Sequence, residues 1–207
     1  MNVFILCTGR CGSMSISKAC NELDQYTSGH ETRISLLGDE RINYPLNHIE
    51  ADNRLAWFLG RLDDKYGKDA FYVHMTRDTL ETAKSYNRRW NHVGSIVRSY
   101  TEGILAKPLQ RVSSKELLNY SEDYCNTLNE NILHFLKDKD KKCTIRLEYL
   151  ESDFLNFLDL IDVKSNRENA LLALNEKHNS SRTHNSDLSY KVKLFLIGLK
   201  NKFITTN

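Results

Sequence analysis

The sequence has few of the residues that interrupt or cross-link a chain. Two prolines and nine glycines in 207 residues exclude collagen-like and linker-rich architectures. Its five cysteines show no paired C-x-x-C spacing, which gives no sign of a disulfide framework or a zinc site. Cys7, Cys20 and Cys143 are expected to be small buried hydrophobic residues. Unpaired thiols favour a reducing compartment, so the predicted localisation is cytoplasmic.

An excess of charge of one sign and long apolar runs are also lacking. The 29 basic and 27 acidic residues give a net charge of +2, which excludes a strongly basic nucleic-acid arm. The longest apolar stretches, Val3–Cys7 and the region of Leu194–Leu199, fall far short of the ~20 residues of a transmembrane helix. The N-terminus has neither the basic region nor the cleavage site of a signal peptide. We expect no nucleic-acid partner and no transmembrane segment; the oligomeric state is not indicated.

What is present is an ordinary globular composition, with 40% hydrophobic and 27% charged residues. The chain shows no internal repeat and no convincing linker, so residues 1–207 are predicted to form a single domain. Strands separated by long helical stretches predict an α/β fold with a mainly parallel central sheet flanked by helices. The predicted strands are Asn2–Cys7, Ala70–Thr76 and Cys143–Glu148.

Helical periodicity fills most of the intervening sequence. Residues 24–48 are predicted to be irregular, and a possible cap at Ser114 opens the longest helix. The predicted helices are Ser13–Leu23, Ala51–Tyr66, Leu80–Trp90, residues 92–112 in part, Ser114–Lys137, Tyr149–Leu160, Arg167–Leu174 and Ser189–Phe203, with a polar loop over Glu176–Asp187.

The segment between the first strand and the first helix is rich in glycine and carries an arginine. Gly9 and Gly12 let an anion approach the backbone, Arg10 adds a charge, and a helix N-terminus adds unpaired N–H groups. The ATP- and GTP-binding pattern G-x-x-x-x-G-K-[ST] fails, because Cys7 replaces its first glycine and Ser13 its lysine. An anion site is predicted here, with a plain strand-to-helix turn as the alternative.

A second group of anion-binding residues follows the strand Ala70–Thr76. Arg77 lies at the end of this strand, where open α/β sheets bind ligands. Ser85 lies in the next helix, and Arg89 follows four residues later on the same helix face. The three side chains are able to converge on one phosphate. The alternative is that Arg77 and Asp78 cap the helix and that the arginines are only solvated.

Together the two segments resemble the sulfotransferases that use 3′-phosphoadenosine 5′-phosphosulfate. The run Arg10-Cys11-Gly12-Ser13-Met14 is similar to the family's 5′-phosphosulfate motif, although Met14 replaces the usual second hydroxyl residue. Arg77, with Ser85 eight residues later, is similar to its 3′-phosphate motif. Ile145–Leu150 is a weaker third match. The resemblance covers residues 2 to about 150 and implies the P-loop-like nucleotide-binding fold of these enzymes.

The resemblance also implies which residues bind the cofactor, 3′-phosphoadenosine 5′-phosphosulfate. Family members often close a C-terminal loop over it, so part of the late polar loop is included, and no metal is expected. The implied cofactor-binding residues are Gly9, Arg10, Cys11, Gly12, Ser13, Met14, Ser15, Arg77, Ser85, Arg89, Asn179, Ser181 and Arg182.

Within this family, Ser28–Ile34 resembles a G-E-E-T-R segment of the tyrosylprotein sulfotransferases. That likeness implies Glu31 as the catalytic base and Arg33 as an acceptor-binding residue, with His30 as the rival base. Arg10 is expected to stabilise charge on the leaving phosphate.

The expected activity is sulfuryl transfer to a hydroxyl group of a glycan, a lipid or a small metabolite. A nucleotide-dependent kinase of related fold and a catalytically degenerate nucleotide-binding module remain as alternatives. A magnesium requirement would favour the kinase, and nucleotide binding without transfer would favour the degenerate module.

Overall fold

The computed structural model describes residues 1–90, 94–108 and 112–176, and contains a five-stranded, all-parallel sheet. The strand order is β2-β3-β1-β4-β5. The strands are β1 (Val3–Cys7), β2 (Thr27–His30), β3 (His48–Ala51), β4 (Phe71–Thr76) and β5 (Lys142–Arg146). Helices flank this sheet, so the predicted α/β class is confirmed.

Two of the five strands were not predicted from the sequence. Strand β2 lies within the segment that was predicted to be irregular, and β3 ends at Ala51, where a helix was predicted to begin. A 3₁₀ turn, Asn53–Trp57, and a shorter helix replace the first part of that helix. Both predictions were wrong because each strand has four residues and few apolar side chains, and is defined by pairing with a neighbour.

The helices follow the predicted order, and their bounds differ from the predicted ones at one or both ends. They are α1 (Ser13–Cys20), α2 (Leu59–Tyr66), α3 (Thr79–Asn87), α4 (Ile96–Ser99), α5 (Ser114–Phe135), α6 (Leu150–Leu160) and α7 (Arg167–Asn175). The cap of α5 is Ser113 rather than Ser114, and it forms a capping box with Glu116. A π-helical turn, Tyr100–Ile104, follows α4 within the predicted helix 92–112.

Alternating side chains of the sheet build two cores, one on each face. Val3 and Ile5 of β1 pack into the core that receives α1, α6 and α7, whereas Phe4 and Leu6 pack into the core that receives α2, α3 and α5. All four side chains are fully buried. Strand β1 is therefore the middle strand of the sheet and is fully buried, so packing on both faces fixes the position of its carboxyl end.

The connections create a crevice at the carboxyl edge of the sheet. From β1 the chain runs toward β2 at one side, and from β4 it runs toward β5 at the other. Adjacent strands whose connections diverge in this way leave a crevice between their carboxyl ends, where ligands of open α/β sheets bind. The two predicted motifs follow β1 and β4, so the strand order brings them to this crevice.

Two predicted segments cannot be compared with the structure. The predicted loop beyond Glu176 and the predicted helix Ser189–Phe203 lie outside the described residues. Within residues 1–90, 94–108 and 112–176, no helix combines the length and the apolar character that crossing a bilayer requires.

Candidate functional site

The loop between β1 and α1 has an unusual backbone conformation. Three of its residues have positive φ: Gly9 at 81°, Arg10 at 60° and Gly12 at 95°. Gly12 is the N-cap of α1 and has no side chain to cap it, while the Ser15 N–H donates to the Gly12 carbonyl at 3.0 Å. The positive end of the helix dipole therefore favours an anion at this loop.

The start of this loop is fixed by three hydrogen bonds to one carbonyl group. The Thr8 carbonyl oxygen accepts from Tyr86 Oη at 2.6 Å, from Tyr124 Oη at 2.9 Å and from Asn53 Nδ2 at 3.5 Å. Burial raises the pKa of both tyrosines, so the two phenols keep their protons and act as donors. The donors come from α3, α5 and the turn after β3, which ties the loop to three separate elements.

Glycine is required at position 9 for a second reason. A Cβ atom there would lie 2.4 Å from Tyr86 Oη and 2.7 Å from Asn53 Nδ2, the same groups that hold the Thr8 carbonyl. The loop therefore packs closely on the groups that support it.

The two predicted motifs meet through direct hydrogen bonds. Arg10 Nε donates to Ser85 Oγ at 3.2 Å, and Arg77 Nη1 donates to the Arg10 carbonyl at 3.1 Å. Asp78 caps α3 by accepting from Glu81 N at 2.9 Å, as the helix-capping alternative predicted, but Arg77 takes no part in this cap. Arg77 is thus directed toward the glycine loop.

The cluster of Arg10, Arg77, Arg88 and Arg89 carries positive charge, and Glu81 is a carboxylate close enough to interact with Arg77. Burial, then the nearby charge of Arg89 and weaker effects of Arg77 and Arg88, lower the pKa of the Arg10 guanidinium below its ordinary value. None of these four arginines forms a salt bridge with a carboxylate in the described part of the chain. Grouped guanidinium groups that form no salt bridge with a carboxylate make a strong site for a multiply charged anion.

Buried cysteines line the inner side of the same loop. The Cys7 thiol donates to the Cys11 sulfur, and this contact, together with N–H groups of Ser13, Gly9 and Cys11, lowers the Cys11 pKa despite its burial. Cys11 is fully buried, and all five cysteines are free. The N–H groups of Gly9, Cys11 and Ser13 therefore favour negative charge at the Cys11 sulfur.

The two predicted bases, at the end of β2 and directly after it, lie in different surroundings. His30 Nε2 lies 3.1 Å from Ser13 Oγ, next to the glycine loop. Glu31 has φ of 54°, and its Oε2 forms an ion pair with Arg54 Nη1 at 3.0 Å. Both members of this pair are 28% exposed, so the carboxylate remains accessible from solvent.

The predicted acceptor-binding residue Arg33 makes its contacts with residues that follow it between β2 and β3. Its Nη1 donates to the Glu40 carbonyl at 3.0 Å, and its guanidinium lies over the Tyr44 ring at 5.3 Å. Arg33 therefore shares the loop of Glu31 but has no contact with Glu31 among those the described residues show.

The end of β5 supports the two motifs from the other side. Glu148 Oε1 accepts from Asp78 N at 2.8 Å, which fixes the turn after Arg77. Leu147 lies against Gly12, where an added Cβ would be 2.8 Å from Leu147 Cδ1. The weaker third match of the sequence analysis therefore lies at the site and contacts both motifs.

Sequence reasoning missed the supporting residues. Asn53 and Arg54 follow the unpredicted strand β3, and Tyr124 lies on an amphipathic helix where a tyrosine indicates only the core. The one available signal was the Asp52–Arg54 run of polar residues. Three further predicted cofactor-binding residues, Asn179, Ser181 and Arg182, lie outside the described residues.

Comparisons with known proteins bear on the fold. Neither protein-family models nor curated proteins give a match. Among solved structures, the chain is similar to the "Sulfotransferase Domain from the Curacin Biosynthetic Pathway". The TM-score is 0.61, with 15% sequence identity over 85% of this chain and 78% of that chain. The chain therefore has the fold of a sulfotransferase domain, as the resemblance of its motifs implied.

Proposed function

We propose that this protein is a sulfotransferase that transfers a sulfuryl group from 3′-phosphoadenosine 5′-phosphosulfate to a hydroxyl group. The observation that carries the proposal is the meeting of Arg10, Arg77 and Ser85 at the crevice of a sulfotransferase fold. As the acceptor class we propose a glycan, a lipid or a small metabolite.

The residues present fit a donor with two anionic groups. Arg77, Ser85 and Arg89 would hold the 3′-phosphate, because they surround Arg10 and the arginines form no salt bridge with a carboxylate in the described residues. The loop from Gly9 to Ser15 would hold the 5′-phosphosulfate, because Arg10 and the positive end of the α1 dipole both lie in this loop. Asn179, Ser181 and Arg182 remain in the proposal as cofactor-binding residues.

When bound, the donor would supply an activated sulfur atom, and the acceptor oxygen would bond to it in exchange for the bridging phosphate oxygen. Arg10 and the loop N–H groups neutralise the charge that grows on the departing phosphate oxygen. These groups supply the positive charge, so the proposal includes no metal. Binding both reactants in line at the crevice supplies the remaining acceleration, as in loose phosphoryl transfer.

Glu31 is the base in this proposal and takes the proton of the acceptor hydroxyl as its oxygen attacks sulfur. Arg54 contacts Oε2 of Glu31, so the proton goes to Oε1. His30 is the rival base, because its Nε2 lies beside Ser13 of the glycine loop. Arg33, on the same loop as Glu31, would contact the acceptor.

Nucleotide selectivity tests the binding part of the proposal. Adenosine 3′,5′-bisphosphate should stabilise the protein against heat far more than AMP or ADP, which lack the 3′-phosphate. At 100 times its Kd the bisphosphate should add ~2.7 kcal/mol to the free energy of unfolding. Arg77→Ala should abolish the difference between bisphosphate and AMP, whereas Arg167→Ala, a half-buried residue of α7 whose guanidinium pairs with Asp159, should preserve it. Equal shifts with ADP would contradict a 3′-phosphate site.

Product formation tests the reaction. The protein is incubated with the ³⁵S-labelled donor and alcohols, phenols, sugars and a tyrosyl peptide, and release of the bisphosphate is measured with transfer of label. We expect transfer to at least one hydroxyl class without added metal. Binding of the bisphosphate without transfer to any acceptor would instead favour the degenerate nucleotide-binding module.

A further inference from the structure

A fully buried carboxylate lies directly beneath the loop that carries Glu31. Glu50, in β3, has no exposed surface, and its carboxylate accepts from Thr32 N at 2.7 Å and from Thr32 Oγ1 at 2.8 Å. His48 Nε2 lies 3.0 Å from the same carboxylate. A charge buried this deeply is tolerated only when several donors satisfy it, and two of these donors belong to one residue of the loop.

That residue follows the proposed base immediately. Glu31 has φ of 54°, in the left-handed region that side chains other than glycine rarely adopt. Its own N–H donates to the Ala51 carbonyl at 3.1 Å, so β3 holds both sides of the turn, through Ala51 before and through Glu50 after. Such a conformation persists only where surrounding bonds determine it.

Strand β2, which pairs with β3, has a glycine where this arrangement needs space. A Cβ atom on Gly29 would lie 2.4 Å from Thr32 Cγ2 and 2.7 Å from Glu50 Oε2. Only glycine in β2 leaves room for the Thr32 methyl group and the Glu50 carboxylate together. His48 is fixed in turn, because Thr27 Oγ1 lies 2.8 Å from its Nδ1 and the Tyr44 ring stacks on it at 5.3 Å.

We propose that Glu50 is a positioning residue that acts through Thr32 to hold Glu31 in the conformation needed for proton transfer. This inference rests on the proposed function, since it assigns the support of its base. Glu50 does not touch the reactants, because its carboxylate is buried beneath Thr32. Its effect should therefore appear in the turnover number and not in nucleotide affinity.

The sharpest variant is Thr32→Val, which removes the Oγ1 bond but keeps the methyl packing and the backbone N–H. We expect kcat to fall about tenfold, the equivalent of one charged hydrogen bond, with the Kd for adenosine 3′,5′-bisphosphate unchanged. Thr32→Ser keeps the hydroxyl and should retain most of the activity. Glu50→Gln, which weakens both bonds to Thr32, should lower kcat at least as much as Thr32→Val.

A matched control separates positioning from general loss of stability. Thr101→Val removes a hydroxyl bond from Thr101 Oγ1 to the Val97 carbonyl at 2.9 Å, far from Glu31 in sequence. Thr101 is fully buried whereas Thr32 is exposed, so Thr101→Val should destabilise the protein at least as much as Thr32→Val and yet leave kcat within twofold of the wild type. If both variants lower kcat equally, the Thr32 bond has only a structural role and the inference is wrong.

The Glu31→Gln background and amide exchange complete the test. Once Glu31 has lost its basic group, adding Thr32→Val should lower kcat no further, because the two residues act as one unit. Hydrogen exchange at the Thr32 N–H should quicken in Glu50→Gln. Additive losses, or unchanged exchange, would overturn the inference while leaving sulfuryl transfer intact. A wild-type protein that transfers no sulfuryl group would instead refute the proposed function, and the inference with it.

Discussion

At the scale of single residues, the candidate site is defined by arginines that form no salt bridge with a carboxylate among the described residues. Arg10, Arg77 and Arg89 lie close enough for the last two to lower the Arg10 pKa, after burial itself. Like charges repel, so their grouping destabilises the ligand-free protein, and the proposed binding of an anionic donor would relieve this repulsion.

Arg10→Ala should lower turnover more than it weakens product binding. The substitution keeps the backbone carbonyl that accepts from Arg77 but removes the charge at the reacting end of the loop. Charge on the leaving phosphate grows in the transition state, so kcat should fall ~10²- to 10³-fold. Steady-state kinetics and calorimetric titration with adenosine 3′,5′-bisphosphate measure the two effects.

Arg88→Ala is the matched control for this experiment. Arg88 is an exposed neighbour that affects the Arg10 pKa only weakly, and kcat should fall less than tenfold. Equal losses in the two variants would mean that Arg10 contributes only to the general field of the cluster.

Glu31→Gln should retain nucleotide binding and lose catalysis. Glutamine keeps the size of the side chain and an oxygen for Arg54, but cannot accept the acceptor's proton at neutral pH. We expect a ~10²- to 10⁴-fold loss of kcat with little change in nucleotide affinity. His30→Ala is the companion variant. An inactive His30→Ala with an active Glu31→Gln would transfer the role of base to His30.

At the scale of elements, the glycine loop depends on groups distant in sequence. Tyr124 reaches the Thr8 carbonyl across 116 residues, and Tyr86 across 78. Both tyrosines also stack edge-on at 5.6 Å, which limits their movement. The loop conformation is thus imposed by α3 and α5 as well as by its own glycines.

Gly9→Ala should destabilise the loop and the fold. A Cβ at φ of 81° is strained, and it would press on Tyr86 Oη at 2.4 Å. The expected loss is ~1–3 kcal/mol in the free energy of unfolding, with weaker stabilisation by the bisphosphate. Urea denaturation with and without nucleotide measures both.

Gly60→Ala is the opposite case within a helix. Gly60 lies in α2, where an added Cβ meets no atom within 4 Å, so alanine should stabilise the protein by ~0.5–1 kcal/mol. A similar loss in both variants would show that the strain at Gly9 is not specific to the loop.

At the scale of the whole molecule, one strand of the sheet carries both a residue of the candidate site and a buried histidine that affects stability. Arg77 follows the last residue of β4, and His74 lies within β4, where its Nε2 is 3.1 Å from Asn129 Oδ1 in α5. His74 is 3% exposed, as expected of a core histidine. Burial lowers its pKa below the ordinary value, although the bond to Asn129 acts in the opposite direction.

The protein should therefore lose stability on acidification below pH 6.5. The unfolded chain binds the His74 proton first, so the free energy of unfolding falls as pH drops from 6.5 toward the folded-state pKa, by at most about 1.4 kcal/mol per pH unit. His74→Gln keeps a donor for Asn129 and should reduce the difference in stability between pH 7.5 and 5.5. The control variant His134→Gln, at an exposed position, should leave this difference in stability unchanged. An equal reduction in both variants would show that the pH dependence does not come from the burial of His74.

Local pattern was sufficient wherever an element carries its own signal. Strands β1 and β4 are runs of buried apolar residues, and their positions were predicted to within one residue. Strand β2 reads Thr-Ser-Gly-His and pairs only with β3, so nothing local distinguishes it from a loop. Strand β2 forms because β3 offers backbone groups for pairing, and the sequence of β2 gives no sign of that neighbour.

The sequence by itself determined the glycine loop, the spacing of Arg77 and Ser85 and the fold class, because each depends on local backbone preference or periodicity. Tertiary structure decided which side chains meet. His30 lies beside Ser13, Glu31 beside Arg54, and Glu50 beneath Thr32. These contacts join residues at the ends of different strands, which become neighbours only through the order of the strands in the sheet. Such contacts cannot be predicted from the sequence of any one segment.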